Sequence, residues 1–177
     1  MLHLLEIMLS CVGAISCWCG MGEVGEADCI FCRIARKEVT ADVIFEDEDL
    51  LAFRDIRPDA EIHIQLIPKR HITNVNSLTS ADGDFIYSLW RKGREIIKEA
   101  LGPDRQSLFA RAKFGFHVPP FNSVHHLHLH CMAGRFTFAS HFTHGALAPW
   151  FRTLPELLHK LRIPPQALNQ KEEKGRE

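Results

Sequence analysis

Residues 126–131 read His-Leu-His-Leu-His-Cys, a strict alternation of imidazole and apolar side chains. In an extended strand alternate side chains share a face, so the pattern predicts one strand over residues 124–132. His126, His128 and His130 then project together, ~6.6 Å apart by the strand rise. Leu127, Leu129 and Cys131 turn the other way, toward a core. One face is committed to packing and the other to chemistry.

The flanking sequence supplies the rest of a sheet. Val43–Glu46 and Leu50–Phe53 bracket Asp47-Glu48-Asp49 as a hairpin, and Ile62–Ile67 is a third strand ended by Pro68. Between Asp82 and Leu101 the period becomes helical. Phe85, Leu89, Gly93, Ile96 and Ala100 recur about 3.6 residues apart, and Ile86, Trp90 and Ile97 widen the stripe. Thr79, Ser80 and Asp82 offer the N-terminal cap, and Gly102-Pro103 the stop. A further strand is expected over 108–116, a helical turn over Cys29–Arg36 and a C-terminal helix over Pro155–Leu161. Strands before and after one long helix give an α+β class with a mainly antiparallel, five-stranded sheet. The domain runs from residue 29 to 163. Residues 1–28 read as a disordered extension, apolar and then Gly-rich and acidic, and 164–177 as a charged tail.

Length and charge bound the function. The 177 residues, 46% of them apolar, suit one domain. Twenty-one Lys and Arg against 22 Asp and Glu argue against stable nucleic-acid binding, though a small phosphate ligand needs only a few local donors. Five of the six cysteines fall in the first 32 residues, which suits a reduced compartment better than a disulfide framework. The apolar start carries Glu6 and has no Lys or Arg before Arg33, so it lacks a signal peptide's basic region. Its apolar run also falls short of the ~20 residues that a membrane span needs. A disordered extension, a weak anchor and a start upstream of a functional Met21 are its three readings. A cytoplasmic location is expected, or else a nuclear or other intracellular one.

A row of imidazoles suits covalent chemistry. Each ring titrates near pH ~6.5 when unperturbed, so one can attack phosphorus while a neighbour holds a proton for the departing group. The same row could hold a metal, or be a His-rich strand without chemistry. Cys29-Ile30-Phe31-Cys32 is likewise open between zinc, redox and coincidence.

Taken in order, CIFCRI, FEDEDLLAFRDIRP, HIQLIPKRHI and the alternating histidines resemble the histidine-triad (HIT) family of nucleotide-binding hydrolases and transferases. The likeness spans residues 29–132. Its loop, Gly115 to Ser123, is most similar to the third- and fourth-type nucleotide-binding branch of animals and plants, and sets His117 roughly where other small members carry Asn. The resemblance implies a HIT-like fold and a role for each matching residue. His128 would be the nucleophile of a nucleotidyl-histidine intermediate, His130 would assist departure, and Ser123 would bond the phosphate or leaving group. His63 would stand behind them. Asp55 would accept the ribose hydroxyls, Phe31, Ile34, Phe53 and Ile56 would form the purine slot, and His117 would join the substrate-binding set. Cys29, Cys32, His71 and His126 would hold a structural zinc, with no organic cofactor.

The implied activity is hydrolysis of AMP derivatives, of the adenosine 5′-phosphoramidate or adenylylsulfate type. His130 favours hydrolysis because the related nucleotidyl transferases carry Gln at that place. A dinucleoside-polyphosphate or DNA-adenylate hydrolase is one alternative, and a non-catalytic nucleotide- or zinc-dependent interaction module another. A homodimer is expected through the Asp82–Leu101 helix and an adjoining strand. The competing arrangement has Ala148 to Leu161 fold back over that helix and bury its surplus width. No membrane span is expected.

Overall fold

A computed structural model describes residues 25–145 and 148–164. Most of the extension expected over 1–28, and the tail beyond Pro164, lie outside the described residues. The chain opens with helix α1 (Ile30–Ala35), then strands β1 (Val43–Glu46), β2 (Leu50–Arg54) and β3 (Ala60–Pro68). Helix α2 (Gly83–Leu101) follows, then β4 (Lys113–His117) and β5 (Leu129–Phe136). A short helix α3 (Ser140–Thr143), strand β6 (Phe151–Thr153) and helix α4 (Leu154–Lys160) complete it. The strands form one sheet in the order β1-β2-β3-β5-β4-β6, each neighbouring pair antiparallel.

Local chemistry sets the boundaries. Asp47 shapes the first hairpin, its Oδ1 accepting the N–H groups of Asp49 and Leu50 at 3.0 and 2.7 Å. Ahead of α2, Thr79 and Asp82 exchange bonds as a capping box on the turn Ser80–Asp82, worth ~1 kcal/mol. The helix ends at Gly102, whose φ of 68° is left-handed and disfavours side chains. The buried stripe of α2, Ile86, Leu89, Ile96 and Ile97, packs on Ile64, Leu66, Leu129 and Cys131 of the sheet. Gly93 permits that closeness, because a Cβ there would sit 2.8 Å from Cys131 Sγ.

Three expectations are corrected. Among the described residues the sheet has six strands, not five, because the three residues of β6 pair with Gly115–His117. Residues 103–111 are a 3-10 helix rather than the start of a strand, and only 113–117 are extended. Gln106 holds that coil to the end of α2, its Nε2 donating to the carbonyls of Lys98 and Gly102 at 2.8 Å each. The triad strand begins at Leu129, not Val124. Ahead of it side chains take carbonyls that a ladder would use: Asn122 Nδ2 donates to Val124 and His128 Nδ1 to His126. The alternation of faces survives, since Leu127, Leu129 and Cys131 all lie in the core beneath α2.

After β5 the chain folds back. Leu154, Leu157 and Leu158 of α4 enter the core that α2 covers, and Tyr87 donates its hydroxyl to the carbonyl of Pro164 at 2.9 Å. Part of the apolar width of α2 is thereby buried within the chain. Phe85 and Trp90 stay half-buried beneath the guanidinium groups of Arg70 and Arg94. Among the described residues no helix is long and apolar enough to cross a membrane.

Candidate active site

The sheet face away from α2 gathers imidazoles. In the register of β3 on β5, Gln65 lies opposite His130 and His63 opposite Met132, while β4 sets Gly115 opposite His130. Gly115 leaves room for the ring of Phe151, since a Cβ there would come 2.6 Å from its Cζ. His63 and His130 are buried and His117 half-buried around it.

Their hydrogen bonds fix their protons. The Asp59 N–H donates to His63 Nδ1 at 3.1 Å. His63 Nε2 lies 2.9 Å from His130 Nδ1, and His130 Nε2 lies 3.1 Å from His117 Nδ1. His117 Nε2 ends the chain 3.0 Å from the carbonyl of Thr143. With a main-chain donor at one end and an acceptor at the other, each ring carries its proton on Nε2 and accepts on Nδ1. The relay from His63 through His130 to His117 is neutral and in one tautomer. Burial acts in the same direction, pushing His63 and His117 down to about 4 and His130 well below its ordinary value. Asp55, with Oδ2 3.5 Å from His63 Nε2, opposes that fall without reversing it.

His128 presents its other nitrogen. Its Nδ1–H donates to the carbonyl of His126 at 2.6 Å, which leaves the lone pair on Nε2. The ring is buried, burial lowers its pKa, and it stands edge-on to Phe31 at 5.4 Å between centroids. A neutral imidazole with a free nitrogen can attack an electrophile at neutral pH.

Phe31 and Phe53 stack edge to face at 5.3 Å in an apolar cluster with Leu51 and Ile67, and Ile34 packs at its rim. Ile56 stands 91% exposed and is not part of that buried cluster. Asp55 Oδ1 accepts the N–H of Arg57 at 2.8 Å, and its Oδ2 accepts from Gln65 Nε2 at 2.6 Å. Ser123 is exposed on the loop into the triad. The fold thus gathers His63, His117, His128, His130, Asp55, Phe31 and Phe53, and leaves Ile56 and Ser123 at the surface. Gln65, Asp59, Thr143 and His144 enter the site unannounced. For Gln65 a signal existed: it is polar two positions after His63 in a strand whose other residues from 62 to 68 are apolar, and its Oε1 is buried with no hydrogen-bond partner among the described residues.

A different cluster forms two residues before His128. Cys29 and Cys32 each place Sγ 3.4 Å from His126 Nδ1, and Cys32 Sγ lies 3.2 Å from His71 Nδ1. All four donor atoms fall within 4.8 Å of one another. Tetrahedral zinc, with bonds of ~2.3 Å to sulfur and ~2.0 Å to nitrogen, sets neighbouring donors roughly 3.3 to 3.8 Å apart. Donor types and spacing therefore fit that ion. His126 Nε2–H donates to the carbonyl of Pro68 at 2.8 Å, which orients the ring and leaves Nδ1 for a metal. Burial pushes the Cys32 thiol up to about 12, and a cation beside the sulfur would reverse that. Nitrogens of His63, His130 and His144, and of His117, His128 and His130, also approach within 4.8 Å. In both groups rings are already hydrogen-bonded to one another.

Comparison with known proteins places this geometry. Residues 28–143 match a family model described as scavenger mRNA decapping enzyme C-term binding. The Arabidopsis thaliana bifunctional adenosine 5′-phosphosulfate phosphorylase/adenylylsulfatase HINT4 is 47% identical over 113 residues, 64% of this chain and 74% of that protein. The Mus musculus adenosine 5′-monophosphoramidase HINT3 is 36% identical over 141 residues, 77% of this chain and 83% of that protein. Among solved structures, a HIT family hydrolase from Legionella pneumophila Philadelphia 1 superposes with a TM-score of 0.52 at 36% identity. The match covers 60% of this chain and 93% of that one.

Proposed function

Because the chain belongs to the histidine-triad family, we propose that it cleaves AMP derivatives by passing the nucleotidyl group first to His128 and then to water. One observation carries this reading: the His126 carbonyl holds the proton of His128 on Nδ1 and leaves Nε2 free beside a neutral relay. Nε2 bonds to phosphorus as the bond from phosphorus to the leaving nitrogen breaks, and the amine departs with a proton passed from the His130 side of the relay. Water then attacks the same phosphorus and returns a proton to the relay, the bond from phosphorus to Nε2 breaks, and AMP leaves. His130 and His63 govern the protonation around that step, and His117 anchors His130. Ser123 donates to the phosphate. Asp55 takes the ribose hydroxyls, with Phe31, Ile34, Phe53 and Ile56 along the purine. Relatives named for a phosphoramidase and for an adenylylsulfatase support an amine as leaving group, with sulfate as the second reading.

Zinc at Cys29, Cys32, His71 and His126 completes the proposal as a structural ion, tying α1 to the segment whose carbonyl orients His128. A cytoplasmic or nuclear setting suits Cys29, Cys32 and Cys131, none of which is in a disulfide, and two copies pair through α2. The deciding experiment incubates the protein with an AMP–amine conjugate and follows AMP. Release is expected. Tight AMP binding with no release would make the protein an interaction module instead.

A further inference from the structure

The segment that folds back after β5 brings one more imidazole into the site. His144 is 6% exposed, and its ring centroid lies 5.2 Å from that of His63, 4.8 Å from His130 and 4.7 Å from His117. Phe151 closes another side at 5.0 Å. His144 Nδ1 sits 3.0 Å from Asp59 Oδ2 and 2.9 Å from the Thr143 hydroxyl oxygen. Asp59 is itself tied to this segment, accepting the hydroxyl protons of Thr137 and Thr143. The second nitrogen of His144, Nε2, is buried and has no hydrogen-bond partner among the described residues.

Proton accounting separates this ring from its neighbours. In the relay both nitrogens of every ring are engaged, Nε2 as donor and Nδ1 as acceptor. A proton added to Nδ1 of His63 would face the Asp59 N–H. One added to Nδ1 of His130 or His117 would face the N–H of the preceding ring. Each addition breaks a hydrogen bond in a buried place. His144 combines a carboxylate on one nitrogen with an open lone pair on the other. The charged or titratable groups facing it are Asp59 from the β2–β3 loop, His63 from β3, His117 from β4 and His130 from β5, and Arg152 of β6 and Glu156 of α4 line the same cavity. Lys113 of β4 directs its ammonium to the His144 carbonyl at 3.5 Å, and Asp55 stands behind His63.

We propose that His144 is a positioning residue of this site, taking on Nε2 the proton that the relay rings cannot hold while Asp59 balances its charge. Nδ1–H stays on the carboxylate, so protonation adds a donor at Nε2 and breaks no bond. The effect passes through the relay: with the proton on His144, His63, His130 and His117 keep their single neutral tautomers. The hydrogen bonds that Asp59 accepts, that from His144 foremost, hold its carboxyl down at about 2, so the balancing charge is in place. The consequence for turnover rests on the nucleotidyl-transfer reading, whereas the location of the proton does not.

Ring nitrogen–hydrogen NMR spectra of the full chain test this, because an imidazolium shows protons on both nitrogens. In a series taken from neutral to mildly acid pH, the wild type should show one such ring within the cluster. H144Q should lose that signal with no other cluster ring gaining it. D59N should lose it too, while the Nε2–H signals of His63, His117 and His130 remain and report an intact fold. T143V, which removes a hydroxyl but no charge, should retain it. In the AMP-release assay D59N should lower kcat on the acid side with KM little changed. A wild-type cluster without an imidazolium, or a signal that survives H144Q or is unaltered by D59N, would overturn the proposal. A wild type that shows the signal but releases no AMP would remove the nucleotidyl-transfer reading and leave His144 as assigned.

Discussion

Only Leu127 separates His126 from His128, yet one ring faces two thiols and the other faces Phe31 and His130. At His126 the Pro68 carbonyl takes the proton on Nε2, so Nδ1 is offered to the sulfurs. At His128 the carbonyl of His126 takes the proton on Nδ1, so Nε2 is offered. The side chains are identical. What differs is which nitrogen the main chain claims, and that decides which lone pair is left for chemistry. The two clusters are also coupled, because the residue that faces the thiols lends its own carbonyl to fix the nucleophile.

The sharpest way to break this contrast is to remove His128. H128A should lower AMP release by ~10³-fold or more while AMP binding stays near wild type. A variant keeping more than about a tenth of the rate would show that the nucleophile is elsewhere. Damage to the other cluster should act on the fold instead. Cys29→Ser should lose the bound zinc and several kcal/mol of stability, since metal binding is linked to folding. Elemental analysis showing no zinc in the wild type, with a melting temperature indifferent to chelator, would remove the metal half of the comparison.

Acid should reach both clusters at once. His63 and His117 on one side and His126 on the other are each held at about 4, against 6.5 in the unfolded chain. Between those values the unfolded chain binds more protons than the native one. Stability is therefore full above about 6.5 and lost as pH falls toward 4, by ~1.4 kcal/mol per pH unit for each ring. Asp59, lowered from 3.8 to about 2, adds a further loss over that lower interval. Urea titrations across this range read the slope, and a flat profile would mean that the rings are not buried neutral. The smallest effect belongs to Trp90→Glu. It should halve the mass seen by light scattering and leave zinc content and AMP release per chain nearly unchanged, since both clusters lie across the sheet from α2. A wild-type mass of one chain at micromolar concentration would exclude pairing.

Side-chain direction was readable from the alternation at 126–131 even though the ladder starts only at Leu129. Burial of Leu127 beneath α2 requires a direction, not a hydrogen-bonded strand. Which histidine meets the thiols could not be read that way, and the family resemblance supplied the set of Cys29, Cys32, His71 and His126. His144 had no local signature. Its meaning comes from Asp59, which also bonds Thr143 across 84 residues of chain. Three residues of β6 are too few to show a period, and the strand is recognisable only through its partner.

Those three residues also decide how the sheet meets other molecules. A sheet edge is a row of unused N–H and C=O groups on which a foreign strand can template. On one side β6 closes the edge of β4, and it is bracketed by Pro149 and Pro155, neither of which has an N–H to extend a ladder. On the other side β1 is exposed but short, and it runs between Asp42 and the acidic stretch Glu46-Asp47-Glu48-Asp49. Asp42 is paired with Arg54, and Glu46 with Lys37 and Lys69, so the acids at this margin without an ion pair among the described residues are those of the turn Asp47-Glu48-Asp49. Edge-to-edge growth of the sheet is thus opposed at one margin by the flanking prolines and at the other by the brevity of β1 and the acidic turn that follows it.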